Sequence, residues 1–239
     1  MTLTKPLYAG HRFPPEVISH AIWLYFRFPL SLRMVEEMLA ARGILVSHET
    51  VRQWARKFGQ VFANQIRRRL SQAGDKWHLD EVVITIAGKK HWLWRAVDQD
   101  GFVLDVLVQS RRNQQAAKRL LRKLLKRQGR PPRVLITDKL ASYPAAKKEL
   151  MPGVEHRRHK GLNNRAENSH QPTRQRERAM KGFRSVGGAQ QFLAAFSGIS
   201  PHFRPRRHLM TAARYRAEMT IRFAIWDQIT GAAGRPTTA

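Results

Sequence analysis

The sequence contains no cysteine. That excludes disulfides, thiolate zinc sites and cysteine nucleophiles, and leaves any bound metal to oxygen or imidazole ligands. Acids are scarce as well: 17 Asp and Glu face 44 Lys and Arg, a formal charge of +27 over 239 residues. Self-repulsion on that scale calls for a polyanionic partner, and nucleic acid is the natural one. No apolar stretch approaches the roughly 20 residues of a membrane helix, and the N-terminus lacks the charged-then-apolar pattern of a secretory signal. No membrane partner is therefore expected, and a cytoplasmic protein is the default. The basic residues are spread along the chain rather than gathered in a tail, which favours a long groove over a membrane-surface anchor. With 42% hydrophobic residues and six Trp, the chain has enough apolar material to fold. Its length suits two domains, one of them small.

Residues 14 to 58 read as three short helices. The first opens at Pro14-Pro15-Glu16, where proline suits the first turn and a carboxylate suits the positive end of the dipole, and it ends near Phe28-Pro29. Ser31 caps a second helix with Leu32, Val35, Met38 and Leu39 at helical spacing, stopped by Gly43. Ser47 caps a third, with Val51, Trp54, Ala55 and Phe58 on one face and His48, Glu49, Arg52, Gln53, Arg56 and Lys57 on the other. A helix, a glycine turn and a second helix bearing basic and amide side chains is a helix-turn-helix arrangement, whose last helix enters the DNA major groove. The alternative is a plain three-helix bundle. Residues 60 to 75 read as a separate connecting helix, with Val61, Phe62, Ile66 and Leu70 apolar, closing at Gly74.

From Lys76 the periodicity changes. Lys76 to Ile86, His91 to Val97 and Phe102 to Val108 are rich in Val, Ile and Trp and are separated by turn compositions, so three antiparallel strands are predicted. Trp92 and Trp94, alternating in the second, read as packing groups rather than base-stacking ones. An amphipathic helix with Ala117, Leu120, Leu121, Leu124 and Leu125 buried runs to Gly129, followed by a strand from Arg133 to Thr137 and a helix from Leu140 to Leu150. The order is βββαβα. A very basic helical stretch follows from Asn163 to about Phe183, kinked or restarted at Pro172, then a helix from Ala189 to Ile199. A last stripe, Ala213, Tyr215, Met219, Phe223 and Trp226, is expected to pack on the larger, strand-containing domain or a second subunit. Gly231 to Ala239 read as a disordered tail.

Metal-assisted chemistry on phosphodiesters needs carboxylates converging from separate elements, so that two divalent ions roughly 3.5–4 Å apart clamp the attacking and leaving oxygens. Between residues 77 and 170 there are nine acids: Asp80, Glu81, Asp98, Asp100, Asp105, Asp138, Glu149, Glu155 and Glu167. Asp98 and Asp100 read as solvated turn residues, and Glu149 as a solvated helix end. Asp80 or Glu81 lies amid Trp77, Leu79, Val82, Val83 and Ile84, where an unpaired charge is costly. Asp138 closes the Val134-Leu135-Ile136-Thr137 run, at the carboxyl end of a buried strand where ligands of open α/β sheets bind. Glu167 falls early in a helix rich in Asn and Arg, and its bland reading is a carboxylate at a helix dipole.

The order βββαβα with acids at those three places resembles the RNase H-like fold of DDE transposases and retroviral integrases. More closely, Trp77-His78-Leu79-Asp80-Glu81, Ile136-Thr137-Asp138-Lys139 with Ser142-Tyr143, and His159 to Glu167 are similar to transposases of the IS-six family of bacterial insertion sequences. The resemblance runs through almost the whole chain, including His11 to Pro15, Ser31 to Arg33, Glu49 to Val51 and Phe203 to His208. It implies an α/β RNase H-like catalytic domain over 76–200, a helix-turn-helix domain over 1–59, a connecting segment over 60–75 and a C-terminal extension over 201–239.

It further implies that Asp80, Asp138 and Glu167 are the catalytic, metal-holding triad, with two Mg2+ or Mn2+ ions. Arg174 matches the basic residue that follows the glutamate, seven positions on and so on the same face if the helix is continuous. Asp138 and Glu167 are 29 positions apart (167 − 138), shorter than is usual for the family, which fits a trimmed loop around Pro152-Gly153. Glu155 and Glu177 are lesser candidates for the third acid. Lys160, Asn163, Asn164, Arg165 and Arg174 are expected to contact DNA alongside His48, Arg52, Gln53, Arg56 and Lys57. The implied activity is DNA strand cleavage and strand transfer on transposon ends and target, within a homodimer or a higher synaptic assembly, in a nucleoid-associated bacterial protein. The rival readings are a non-catalytic helix-turn-helix protein left by a decayed transposase, and a structural RNA-binding protein, which explains the charge but not the three acids.

Overall fold

Proline in the first turn starts α1 (Pro15–Arg27), with Glu16 at its positive end and Arg27 at its negative end. Ser31 caps α2 (Leu32–Ala40) by accepting from the Met34 N–H at 3.1 Å. Ser47 caps α3 (His48–Arg69) by accepting from the Thr50 N–H at 3.2 Å. The turn between α2 and α3 includes Gly43 at φ +75°. Two expectations change here. On α2 only Val35 and Leu39 are buried, whereas Met38 is 42% exposed. And α3 is one helix of 22 residues where a recognition helix and a separate connecting helix were expected. Val51, Trp54, Phe58, Phe62 and Ile66 keep one buried stripe through Gly59. A single internal glycine, costing about 1 kcal/mol, does not interrupt a stripe that long.

The computed structural model describes residues 7–69, 74–205 and 207–232, with the side chains of Lys160 and His208 left aside. Leu70 and the segment 233–239, read above as part of a helical stripe and of a disordered tail, therefore lie outside the described residues. The chain divides into two units, one of residues 1–67 and 198–239, the other of 68–197. The C-terminal segment thus belongs to the same unit as the N-terminal helices. In α9 (Ala212–Thr230) the buried end is Trp226, Ile229 and Thr230. Phe203 is fully buried, its ring 5.2 Å from Phe223, 5.4 Å from Trp226 and 6.2 Å from Trp23, and Phe62 meets Trp226 at 5.3 Å. The Tyr8 hydroxyl donates to the Thr230 carbonyl at 2.6 Å.

In the second unit β1 (Lys76–Ile86), β2 (Lys89–Asp98) and β3 (Val103–Gln109) form an antiparallel meander. Ala87 and Gly88 make the first hairpin turn, both at positive φ, as a two-residue turn between twisted strands favours. After α4 (Gln114–Gln128) come β4 (Val134–Thr137), α5 (Ser142–Leu150) and β5 (Glu155–Arg158). β4 is parallel to β1 and to β5, giving the order β3-β2-β1-β4-β5 among the described residues. This is the RNase H-like arrangement. β5 was not anticipated, because Glu155-His156-Arg157-Arg158 has no apolar pattern; it is a short, charged edge strand.

One face of the sheet, with Trp77, Leu79, Trp94 and Ala96, packs on Leu120, Leu121 and Leu124 of α4 and Tyr143 of α5. The other, with Val82, Ile84, Leu93, Val106 and Val108, packs on Phe183, Ala189 and Leu193. That second face is covered by α6 (Asn164–Ser169), α7 (Gln171–Ala179) and α8 (Val186–His202). Pro172 restarts the helix as expected, directly after the break at His170. Among the described residues no helix is long and apolar enough to cross a membrane.

Phe203→Ala is expected to cost about 3–5 kcal/mol, the range for deleting a buried aromatic side chain. Leu209→Ala, at a side chain 62% exposed, is expected to stay within about 0.5 kcal/mol. Urea denaturation followed by Trp fluorescence measures both.

Candidate active site

The register of β1 and β4 decides where two acids meet. Leu79 is the partner of Thr137, and the pairing ends there. Asp80 and Asp138 are the next residues on each strand, side by side at the carboxyl end of β4. Asp80 is 8% exposed and Glu81, beside it, is 6% exposed, but successive residues of a strand face opposite ways. Asp80 lies across β2 from Arg95, on the face covered by α6 and α7; Glu81 lies across from Trp94, on the α4 and α5 face.

Glu81 is fully engaged. It accepts from the Tyr143 hydroxyl at 2.5 Å and from Arg112 Nε at 2.8 Å and Nη2 at 2.6 Å. Burial pushes the Glu81 carboxyl up, while the bonds from Tyr143 and Arg112 pull it back. Burial and Glu81 together push the Tyr143 hydroxyl well up. Arg112 Nη2 also stands 3.6 Å from Asp138 Oδ2, and Asp138 Oδ1 accepts from the Leu140 N–H at 2.9 Å. Arg112 and Tyr143 were not foreseen as site residues. Nothing in the spacing of the loop after β3 signals Arg112.

Among the described residues Asp80 has no such cation. Burial raises its pKa to about 7, and Glu81, Asp138 and Glu167 add to the shift through their charges. The base beside it is His170, whose Nε2 lies 3.4 Å from Asp80 Oδ2. Burial, with Arg95 and Arg174 adding, holds that imidazole well below its ordinary range, which favours its neutral form. Glu167 is exposed on α6, close enough for its charge to bear on Asp80. Among the described residues no three His, Asp or Glu side chains stand together tightly enough to enclose a metal ion.

The remaining acids have other occupations. Asp98 is not the solvated turn residue expected: it is 3% exposed and accepts from the N–H groups of Asp100 and Phe102 at 2.9 Å and of Gly74 at 3.3 Å. Asp100 is exposed. Asp105 is buried between Lys123 at 2.9 Å and Arg127 at 3.0 Å. Glu149 pairs with Lys118 and Arg122, and Glu155 with Arg157 at 2.6 Å on the sheet edge. Glu177 accepts from the Thr85 N–H at 2.9 Å.

Of the basic and amide positions, Asn163 departs from expectation. It is fully buried and donates to the Leu79 carbonyl at 2.8 Å, so it is not placed to meet DNA. Asn164 and Arg165 are exposed, and Arg165 donates to the Gln99 carbonyl. The break at His170 removes the continuous helix on which Arg174 was to share a face with Glu167. Arg174 and Arg178 instead line a cavity of about 470 Å³ with Glu81, Val82, Val83, Trp92 and Glu177. On α3, Arg52, Gln53, Arg56 and Lys57 are exposed and His48 is half-exposed. Arg52 is held by Glu49 at 2.6 Å, His48 stands 3.3 Å from Glu36, and Lys57 is 3.4 Å from His11.

A family model described as a DDE domain matches residues 74–206. The chain is 29% identical over 201 residues to the transposase for insertion sequence element IS257 in transposon Tn4003 of Staphylococcus aureus, covering 82% of this chain and 88% of that one. The same figures hold for the transposase for insertion sequence-like element IS431mec of Staphylococcus aureus strain Mu50. A chain of the simian T-cell lymphotropic virus intasome aligns at 14% identity and a TM-score of 0.40, over 54% of this chain and 50% of that one. So distant a likeness adds nothing to what the strand order establishes. With a DDE domain over more than half of its length and insertion-sequence transposases as its relatives, the chain belongs to the IS-six family of DDE transposases.

Proposed function

We propose that the protein cuts and joins DNA at the ends of its insertion sequence, with Asp80, Asp138 and Glu167 as the acidic triad. The observation that carries this is the placement of Asp80: it adjoins Asp138 in strand register, burial and the charges of Glu81, Asp138 and Glu167 push its carboxyl up to about 7, and among the described residues no guanidinium or ammonium forms an ion pair with it. Three hard-oxygen donors with surplus negative charge fit a divalent cation. Since they do not enclose an ion as they stand, ligation would draw Glu167 inward. Bound Mg2+ or Mn2+, two ions in all, would supply Lewis-acid polarisation of the phosphodiester and offset charge on the attacking and leaving oxygens.

The chain's own groups set up the rest. Water first cleaves a phosphodiester at the element's end and frees a 3′-OH, which then attacks a target phosphodiester in line and releases a new 3′-OH. Arg174 and Arg178 hold phosphates beside the cleft. Arg112 satisfies Glu81, so that this second acid does not compete for cations, and restrains Asp138 from the same side. Arg52, Gln53, Arg56, Lys57 and His48 on α3 read the terminal sequence in the major groove, for which Arg52 must exchange Glu49 for DNA. Joining two ends to one target needs at least a homodimer.

Strand transfer from a labelled duplex bearing the element's end into a plasmid is the deciding assay. Joined product is expected from wild type with Mg2+ or Mn2+, and none from Asp138→Ala or Glu167→Gln, although both still bind the end. If wild type binds the end but neither nicks nor joins, the non-catalytic DNA-binding reading takes its place.

The raised Asp80 pKa has a sign that can be checked. The unfolded carboxyl titrates near 3.8 and the folded one near 7, so the stability that protonation confers is full below 3.8 and lost as pH rises through 7. In metal-free protein at pH 8, Asp80→Asn is expected to raise the Tm while abolishing strand transfer, and the Tm difference is expected to shrink towards pH 6. A lower Tm for the variant at pH 8 would contradict the charge argument.

Arg174→Ala is expected to weaken binding of end and unrelated duplexes alike and to lower the slope of log K against log salt by about 1, as for loss of one phosphate contact. Filter binding between 50 and 200 mM salt reads this; an unchanged slope would remove Arg174 from the phosphate path.

A further inference from the structure

Beneath α6 lies a polar core that the chemistry above does not use. α6 has six residues, too few to be stable as an isolated helix. Its N-terminal Asn163 makes no side-chain cap to the helix. The amide reaches back into the sheet and donates to the carbonyl of Leu79, the residue before Asp80, at 2.8 Å. At the other end the carbonyl of Ser169, left over as at any helix C-terminus, accepts from Arg95 Nη1. Arg95 Nη2 donates to Thr173 Oγ1, across the helix break, at 2.5 Å. Arg95 stands directly across the β1–β2 ladder from Asp80.

Arg95 is 2% exposed, and among the described residues no carboxylate pairs with it; burial lowers its pKa to about 10. A buried guanidinium with neutral acceptors alone is a poor way to stabilise a fold. What it supplies is a rigid fork, fixed in two places, in contrast to the flexible ammonium of lysine. We infer that Asn163 and Arg95 are positioning residues: they clamp the two ends of α6 to the strand pair that carries Asp80, and so fix where Glu167 stands. The inference rests on the triad reading above. Within α6, Ala166 is fully buried against the sheet while Glu167 is exposed, so rotation or sliding of the helix would move Glu167 directly. Both anchor points lie within one residue of Asp80 along or across the strands, which ties the third acid to the first instead of to the loop before it.

The test uses the full chain as Asn163→Ala, Arg95→Met, Arg95→Lys and Thr173→Val, the last removing only one acceptor and serving if Arg95→Met fails to fold. Three quantities are read: strand-transfer kcat and KM for end duplex, the Mn2+ concentration giving half of the metal-induced Tm shift, and hydrogen exchange of residues 164–169. Asn163→Ala and Arg95→Met are expected to lose about 10–100-fold in kcat and in Mn2+ affinity, as for loss of a group orienting a metal ligand. End-duplex KM should change little, and exchange should quicken in 164–169 but not in β1 and β2. Arg95→Lys should recover part of the loss, and Thr173→Val should show a smaller one. Folded Asn163→Ala and Arg95→Met proteins with wild-type exchange in α6 and wild-type Mn2+ affinity would overturn the inference. Failure of the triad reading looks different: Glu167→Gln would then bind Mn2+ like wild type, while exchange would still report the clamp.

Discussion

β1 is longer than the strand beside it. It pairs with β2 over almost all of its eleven residues, but with β4 only from Lys76 to Leu79. From Asp80 onward one edge of a central strand has no strand beside it among the described residues, only an isolated bridge from Ile86 to Phe183, and buried backbone donors without partners are costly. The chain covers this edge with helix and loop. Glu177 takes the Thr85 N–H, and the Phe183 carbonyl takes the Ala87 N–H. The gap where β4 stops is also where Asp138 leaves the sheet, where Asn163 reaches in, and where the Arg174 cavity opens. A longer β4 would pair the edge and close the site.

The arrangement of charge explains why Asp80 stands apart in a chain of such positive balance. Buried acids elsewhere are satisfied: Asp105 by Lys123 and Arg127, Glu81 by Arg112 and Tyr143, Asp98 by backbone N–H groups. Arg95, across the ladder from Asp80, points its donors at Ser169 and Thr173. The base in reach, His170, is pushed well below its ordinary range by burial. Surplus basic charge is therefore abundant, yet among the described residues none of it forms an ion pair with Asp80, the carboxylate proposed above to help hold a divalent cation. That is costly for the fold and useful for chemistry, a pattern expected of functional sites.

The N-terminal helices have a different dependence. Helices as short as α1 and α2 bury little area between them, and the aromatic cluster around Phe203, Phe223 and Trp226 supplies what they lack. The unit that carries α3 is thus assembled from both ends of the chain. Reading the last forty residues as an appendage missed this, because Trp226 is the only buried member of the stripe on α9 and its pattern does not say what covers it.

Much was legible beforehand for a plain reason: periodicity and turn chemistry are local. The caps at Ser31 and Ser47, the restart at Pro172, the three strands of the meander and the βββαβα order all follow from neighbours in sequence, and with them the addresses of Asp80, Asp138 and Glu167. The pairing of Asp80 with Arg95 was not legible: strands ending at Ile86 and starting at His91 leave four residues in the turn, whereas β2 starts at Lys89 and the two-residue turn at Ala87-Gly88 sets the register. The tertiary structure alone decided the rest. It made α3 continuous, added β5, turned Asn163 and Asp98 inward and brought Arg112 and Tyr143 to Glu81. These depend on which long-range partner satisfies a buried polar group, and a single sequence lists the candidates without bringing any two of them together.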